Sequence, residues 1–155
     1  MTDLLLGVGN PFRQDDGVGH WVALQVQEQL SQTSPSLTVK CVSGEGGELL
    51  NLWSEKTRVF LADAVQAQGK PGKIYRFEAH ARPLPQSFFN YSTHNFSVAE
   101  AVEMGRVLNL LPPELYVWGI EGESFNMGEG LSQAVREAAE IVVQEILALQ
   151  DMAAK

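Results

Sequence analysis

A chain of 155 residues, 45% hydrophobic and 19% charged, has the make-up of an ordinary globular protein and is read as one domain spanning residues 1–155. Eleven basic against nineteen acidic residues give a net charge of -8, which argues against nucleic acid as a partner. The single cysteine, Cys41, excludes an internal disulfide framework. No apolar run is long enough for a signal peptide or a membrane span, so a soluble cytoplasmic protein is expected.

In chain order, Leu4-Leu5-Leu6-Gly7-Val8-Gly9 reads as a short buried strand that breaks at Asn10-Pro11 and passes through Asp15-Asp16 into a helix. Ligands of open α/β sheets sit just outside the carboxyl end of such a strand, most often a phosphate on glycine N–H groups and a helix N-terminus. Two adjacent aspartates would repel a phosphate, suit the helix dipole and favour a cation. The Gly7-x-Gly9 pair also lacks the third glycine of a dinucleotide motif, since Phe12 stands in its place.

Val18, Val22, Val26 and Leu30 share one side of the first helix, and a polar turn over Ser31–Pro35 follows. A second strand is predicted over Leu37–Val42, a glycine loop over Ser43–Gly47, and a short helix from about Glu48 to Trp53. Cys41 lies inside that strand and reads as a small core residue in preference to a nucleophile. Arg58–Ala64 is a third strand, apolar until Asp63. A turn over Gln66–Gly72 leads to an exposed fourth strand, Ile74–Glu78, and then to a long irregular connection, His80–Tyr91, holding Pro83 and Pro85.

A helix is expected after His94, running to about Leu110, with Val98, Ala101, Gly105 and Leu108 on its inner face and Pro112-Pro113 beyond its end. Ser97 and Glu100 have capping-box spacing, while Ser92 or Thr93 as the cap would put His94 in the first turn. Leu115–Ile120 is the fifth strand and Glu121–Gly130 a glycine-rich loop. The last helix starts near Ser132 and buries Val135, Ala138, Val142, Ile146 and Leu149. Strands alternating with helices predict an α/β fold with a mostly parallel sheet covered on both faces.

Asp16, Asp63 and His94 come from three separate segments that a doubly wound sheet brings to one crevice. Two carboxylates and an imidazole form an open metal site of oxygen and nitrogen ligands. Each has a plainer reading beside this one. Asp16 also serves as a helix N-terminal acid, and His94 as a helix cap with His20 and His80 as competing histidines. An aspartate ending a buried strand is harder to dismiss, because ionised burial needs a partner. No G-x-S-x-G elbow is present to make a serine hydrolase.

Gly7-Val8-Gly9-Asn10 followed by Asp15-Asp16-Gly17-Val18-Gly19 resembles the opening of the hydrogenase maturation proteases. Further matches run in order through Glu45-Gly46-Gly47, Asp63-Ala64, Pro71-Gly72, Arg76-Phe77, Ser92-Thr93-His94, Gly119-Ile120-Glu121 and Gly130-Leu131-Ser132. The resemblance implies a three-layer α/β/α sandwich with a mixed, mostly parallel five-stranded sheet. It implies an aspartyl-type endopeptidase, monomeric and cytoplasmic, that trims the C-terminus of a nickel–iron hydrogenase large-subunit precursor. It also implies a nickel-contacting trio of Asp16, Asp63 and His94. Asp16 and Asp63 are read as the catalytic carboxylates, a general base and acid for attack of water, with polarisation of the carbonyl or activation of the water by the nickel itself as the alternative. The nickel is then carried by the substrate, and none is held tightly by the free enzyme.

Three departures stand out: Asp16 where the family often has glutamate, Glu45-Gly46-Gly47-Glu48 where it usually has Asp-Gly-Gly-Thr, and Gly122 in place of a frequent proline. Two rival readings of the same trio remain, a non-catalytic nickel-handling chaperone of hydrogenase assembly and a general metallohydrolase.

Overall fold

The order of strands across the sheet decides where the two aspartates can meet. In the computed structural model, which describes residues 3–30, 37–89 and 96–153, β1 (Asp3–Val8), β2 (Leu37–Val42), β3 (Arg58–Val65), β4 (Ile74–Glu78) and β5 (Glu114–Glu121) form one sheet. Its order is β2-β1-β3-β5-β4, parallel except for β4, which runs antiparallel to β5 at the edge. The chain leaves β1 for β2 on one side and returns to β3 on the other. The reversal opens a crevice at the carboxyl ends of β1 and β3, where open sheets place their ligands.

Strand alternation sorts the core into two layers. Leu4, Leu6, Val59 and Leu61 pack toward α2 (Gly46–Trp53) and α3 (Val98–Leu108), burying Leu49, Trp53, Val98 and Val102. Leu5, Phe60 and Ala62 face α1 (Val18–Gln29) and α4 (Gln133–Ala153), burying Val22, Val26, Val142 and Ile146. The result is the expected α/β/α sandwich with a mixed, mostly parallel five-stranded sheet.

The glycines of the opening loop serve close packing. A Cβ on Gly19 would lie 2.3 Å from the Val8 carbonyl oxygen and 2.4 Å from that of Ala62, so only glycine lets α1 seat against β1 and β3. Gly9 has φ +138°, and a Cβ there would lie 2.0 Å from the Asp16 carbonyl oxygen.

Several expected boundaries move. α3 begins at Val98, with Ser97 as its N-cap and the Glu100 carboxylate accepting the Ser97 N–H at 2.9 Å and its hydroxyl. The capping-box choice is therefore the one taken, and the helix does not reach back to His94. Leu108 is 54% exposed and is not on the inner face, which buries Val98, Ala101, Val102 and Gly105. β4 is half-buried, since Tyr75 and Phe77 pack on Phe88 from the connection that follows. The turn over 31–35 and the Ser92-Thr93-His94 segment lie outside the described residues.

Candidate functional site

Asp16 sits in a 3-10 turn, Gln14–Gly17, that carries the chain from β1 into α1. Its carboxylate accepts the Asn10 N–H at 3.1 Å, and its own carbonyl accepts the same N–H at 3.2 Å. Asn10 is itself bent by an Asx turn, its Oδ1 accepting the Phe12 N–H at 2.9 Å. Asp63 lies near the carboxyl end of β3, paired with Gly119 of β5, and shares the strand face of Leu61 that looks toward α2 and α3. Asp16 is 7% and Asp63 4% exposed.

Both aspartates line one cleft of about 510 Å³. Its walls come from Val8–Arg13, from Cys41–Gly44 at the end of β2, and from Ser97 and Val98 at the start of α3. Glu48 adds a third carboxylate to the lining, against the single guanidinium of Arg13 among the lining residues. A pair of nearly buried carboxylates at a topological switch point is suited to holding a cation or moving a proton.

His20, read from sequence as a competitor of His94, also lines this cleft. It lies in the first turn of α1, just after the 3-10 turn that carries Asp16. Its Nε2 lies 3.0 Å from the Val42 carbonyl oxygen, which ties α1 to the end of β2. His80 is elsewhere, with Nδ1 accepting the Leu115 N–H at 2.9 Å and the ring edge-on to Tyr116. His94 lies outside the described residues, and among those described no three His, Cys, Asp or Glu side chains group as a metal site. Cys41 is exposed on the cleft wall and is not the core residue expected, although partial burial raises its thiol pKa.

The paired reading of Asp15 and Asp16 does not survive. Asp15 is fully buried and turned to the segment after β5. It accepts the N–H groups of Glu123 at 2.8 Å, Ser124 at 3.0 Å and Ser132 at 2.7 Å, with the Ser132 hydroxyl at 2.6 Å. Burial pushes its carboxyl pKa up, but the Ser132 hydroxyl and the three N–H groups outweigh that and hold it below the ordinary value.

Two further acids also have structural work. Glu45 caps α2, accepting the Gly47 N–H at 2.8 Å and the Glu48 N–H at 2.9 Å. Glu121, 3% exposed, accepts the Tyr75 hydroxyl at 3.1 Å and the Ala67 N–H at 3.1 Å. The Glu45 cap is local and was open to sequence reasoning as an acid just before a helix, whereas the role of Glu121 depends on where the distant 67–75 segment returns.

Comparison with known proteins agrees with this architecture. Residues 25–149 match the family model described as hydrogenase maturation protease. No curated protein matches the chain in sequence. Among solved structures, the hydrogenase maturating endopeptidase HybD from E. coli superposes with a TM-score of 0.78 at 22% identity, covering 99% of this chain and 94% of that one. The solution structure of an endopeptidase from Escherichia coli gives 0.80 at 23%, covering 96% and 91%. The [NiFe] hydrogenase maturation protease HycI from Thermococcus kodakarensis KOD1 gives 0.69 at 18%, covering 97% and 92%. At these identities the structural likeness speaks for the fold.

Proposed function

Because the chain belongs to the hydrogenase maturation protease family and is therefore a peptidase, we propose that it removes the C-terminal extension of a nickel–iron hydrogenase large-subunit precursor. It does so after nickel insertion, recognising the nickel that the precursor carries. The observation that supports this reading most is the convergence of Asp16 and Asp63, both almost buried, on one cleft at the carboxyl ends of β1 and β3.

One carboxylate acts as general base toward the attacking water and the other as general acid toward the leaving amine. Their burial on a sheet scaffold fixes both before substrate arrives, which lowers the entropic part of the barrier. The precursor's nickel supplies the anchor that holds one peptide bond beside them, with Asp16, Asp63 and His94 as its contacts. The precursor's own ligands complete the shell. Two carboxylates and an imidazole offer a borderline metal too little nitrogen or sulfur for tight binding by the protease alone. No described helix is long and apolar enough to cross a membrane, in keeping with a precursor met in the cytoplasm.

The experiment is the intact mass of a nickel-loaded precursor before and after incubation, beside a nickel-free control. Shortening of the loaded precursor alone is expected. Cleavage of both would defeat nickel recognition, and cleavage of neither would leave the protein a binder of its client.

A further inference from the structure

Two large apolar side chains that the cleavage chemistry does not use stand together at the cleft, Phe12 in its lining and Met127 beside Phe12 on the adjoining loop. Phe12 lines the cleft and is 59% exposed, and Met127, in the loop between β5 and α4, is 80% exposed. A parallel bridge between Arg13 and Gly128 sets them side by side in register. The Gly128 N–H donates to the Phe12 carbonyl at 2.8 Å, and the Gln14 N–H to the Gly128 carbonyl at 2.8 Å.

Both loops are held firmly. The Asp15 carboxylate binds three N–H groups and a hydroxyl of the 123–132 segment, and the Asp15 N–H donates back to the Ser124 carbonyl at 3.0 Å. Gln14, at φ +49°, is locked in the left-handed region by that bridge and by the Ser124 hydroxyl. The other large exposed apolar side chains, such as Leu24, Val107 and Ile141, sit on helices and do not line the cleft.

We propose that Phe12 and Met127 form a docking lip for an apolar segment of the hydrogenase precursor, next to the bond that is cut. The proposal rests on the reading that the cleft takes the precursor. The lip is continuous with that cleft through Phe12, which lines it together with Asp16, and the Arg13–Gly128 bridge carries it on to Met127. Adjacent apolar side chains left in water beside a site mark a binding surface. Aromatic and methionine side chains are the types enriched in such contacts, and loops already pinned by hydrogen bonds lose little entropy when a partner settles on them. The division of labour is spatial: the lip recognises apolar chain, and the carboxylates below it handle charge.

The test compares the native protein with Phe12→Ser, Met127→Ser and the double variant, using Val107→Ser as an exposed apolar control. Titration against a fluorescently labelled nickel-loaded precursor gives Kd, and the mass assay gives the cleavage rate at saturation. Both lip residues are exposed, so melting temperatures should stay unchanged. The double variant is expected to bind at least about tenfold more weakly, with saturated cleavage within about twofold of native and Val107→Ser unchanged. A double variant that binds as tightly as native overturns the lip, and cleavage by both proteins would still leave the peptidase reading intact. If the native protein binds without cutting, the reading of the cleavage chemistry fails, while the Kd ratio still decides the lip. No binding by the native protein overturns the lip as well.

Discussion

Asp15 and Asp16 are neighbours in the chain and nearly equal in burial, yet they belong to different regions of the molecule. Asp15 belongs to a scaffold of loops: its carboxylate closes four hydrogen bonds with the segment between β5 and α4. Asp16 lines the cleft with Asp63 and is steadied by the Asn10 N–H. The contrast shows that burial of a carboxylate does not by itself mark chemistry. What separates the two is the direction of the side chain from a 3-10 turn, where successive residues point about 120° apart. One charge organises the framework, and its neighbour is left at the opening that framework surrounds.

The largest effect that would break this contrast is on turnover. Asp63→Asn and Asp16→Asn keep side-chain volume and remove charge and basicity, so each should lower precursor cleavage by about 10²- to 10⁴-fold while the protein still folds. Cleavage rate from intact mass, circular dichroism and thermal melting measured on the same preparations would check it. A folded Asp63→Asn protein with full activity would remove Asp63 from the chemistry.

Asp15→Asn should behave in the opposite way. An amide in that pocket turns an NH₂ group toward buried donors, leaving at least one without an acceptor, and should cost roughly 2–3 kcal/mol, a fall in Tm on the order of 5–10 °C. The native carboxyl has its pKa held below the ordinary 3.8, so the unfolded chain binds the proton first as pH drops. The stabilisation is therefore complete above the ordinary carboxylate value and is lost as pH falls through the folded one. Thermal melts between about pH 6 and pH 3 should show native and Asp15→Asn curves converging toward acid. Parallel curves would mean that Asp15 does not carry this charge-linked term.

Most of the framework was legible in the sequence because buried parallel strands are short apolar runs that leave little room for another reading. In the fully buried β3, Asp63 stands out as the one charge within Val59–Val65, while β2 and the antiparallel edge strand β4 fall at their expected bounds, Leu37–Val42 and Ile74–Glu78. The start of α3 was less so, since Ser92, Thr93 and Ser97 are equivalent caps until packing chooses among them. The division between Asp15 and Asp16 was not legible at all. It depends on Ser132 and Ser124, more than a hundred residues away, and nothing in the local pattern of the opening loop points to them. From sequence His20 is only one of two histidines that compete with His94. Its place in the cleft follows from where β2 ends, which is again a tertiary fact.

The smallest effect concerns Glu45, which stands where the family it resembles usually has aspartate. Its carboxylate reaches the Gly47 and Glu48 N–H groups, satisfying two donors that the first turn of α2 leaves open, and it places negative charge at the positive end of that helix. Glu45→Ala should therefore cost about 1 kcal/mol of stability, the usual scale for losing an N-cap side chain. Glu45→Asp, with a shorter reach but the same charge, should recover most of it. Urea titration gives the stability difference, and cleavage of nickel-loaded precursor well below Tm gives activity. If Glu45 only caps α2, Glu45→Ala cleaves at the native rate once the folded fraction is allowed for. A loss of cleavage with unchanged stability would move Glu45 from the scaffold to the site, and would put a second acidic loop beside Asp16 in the handling of the substrate.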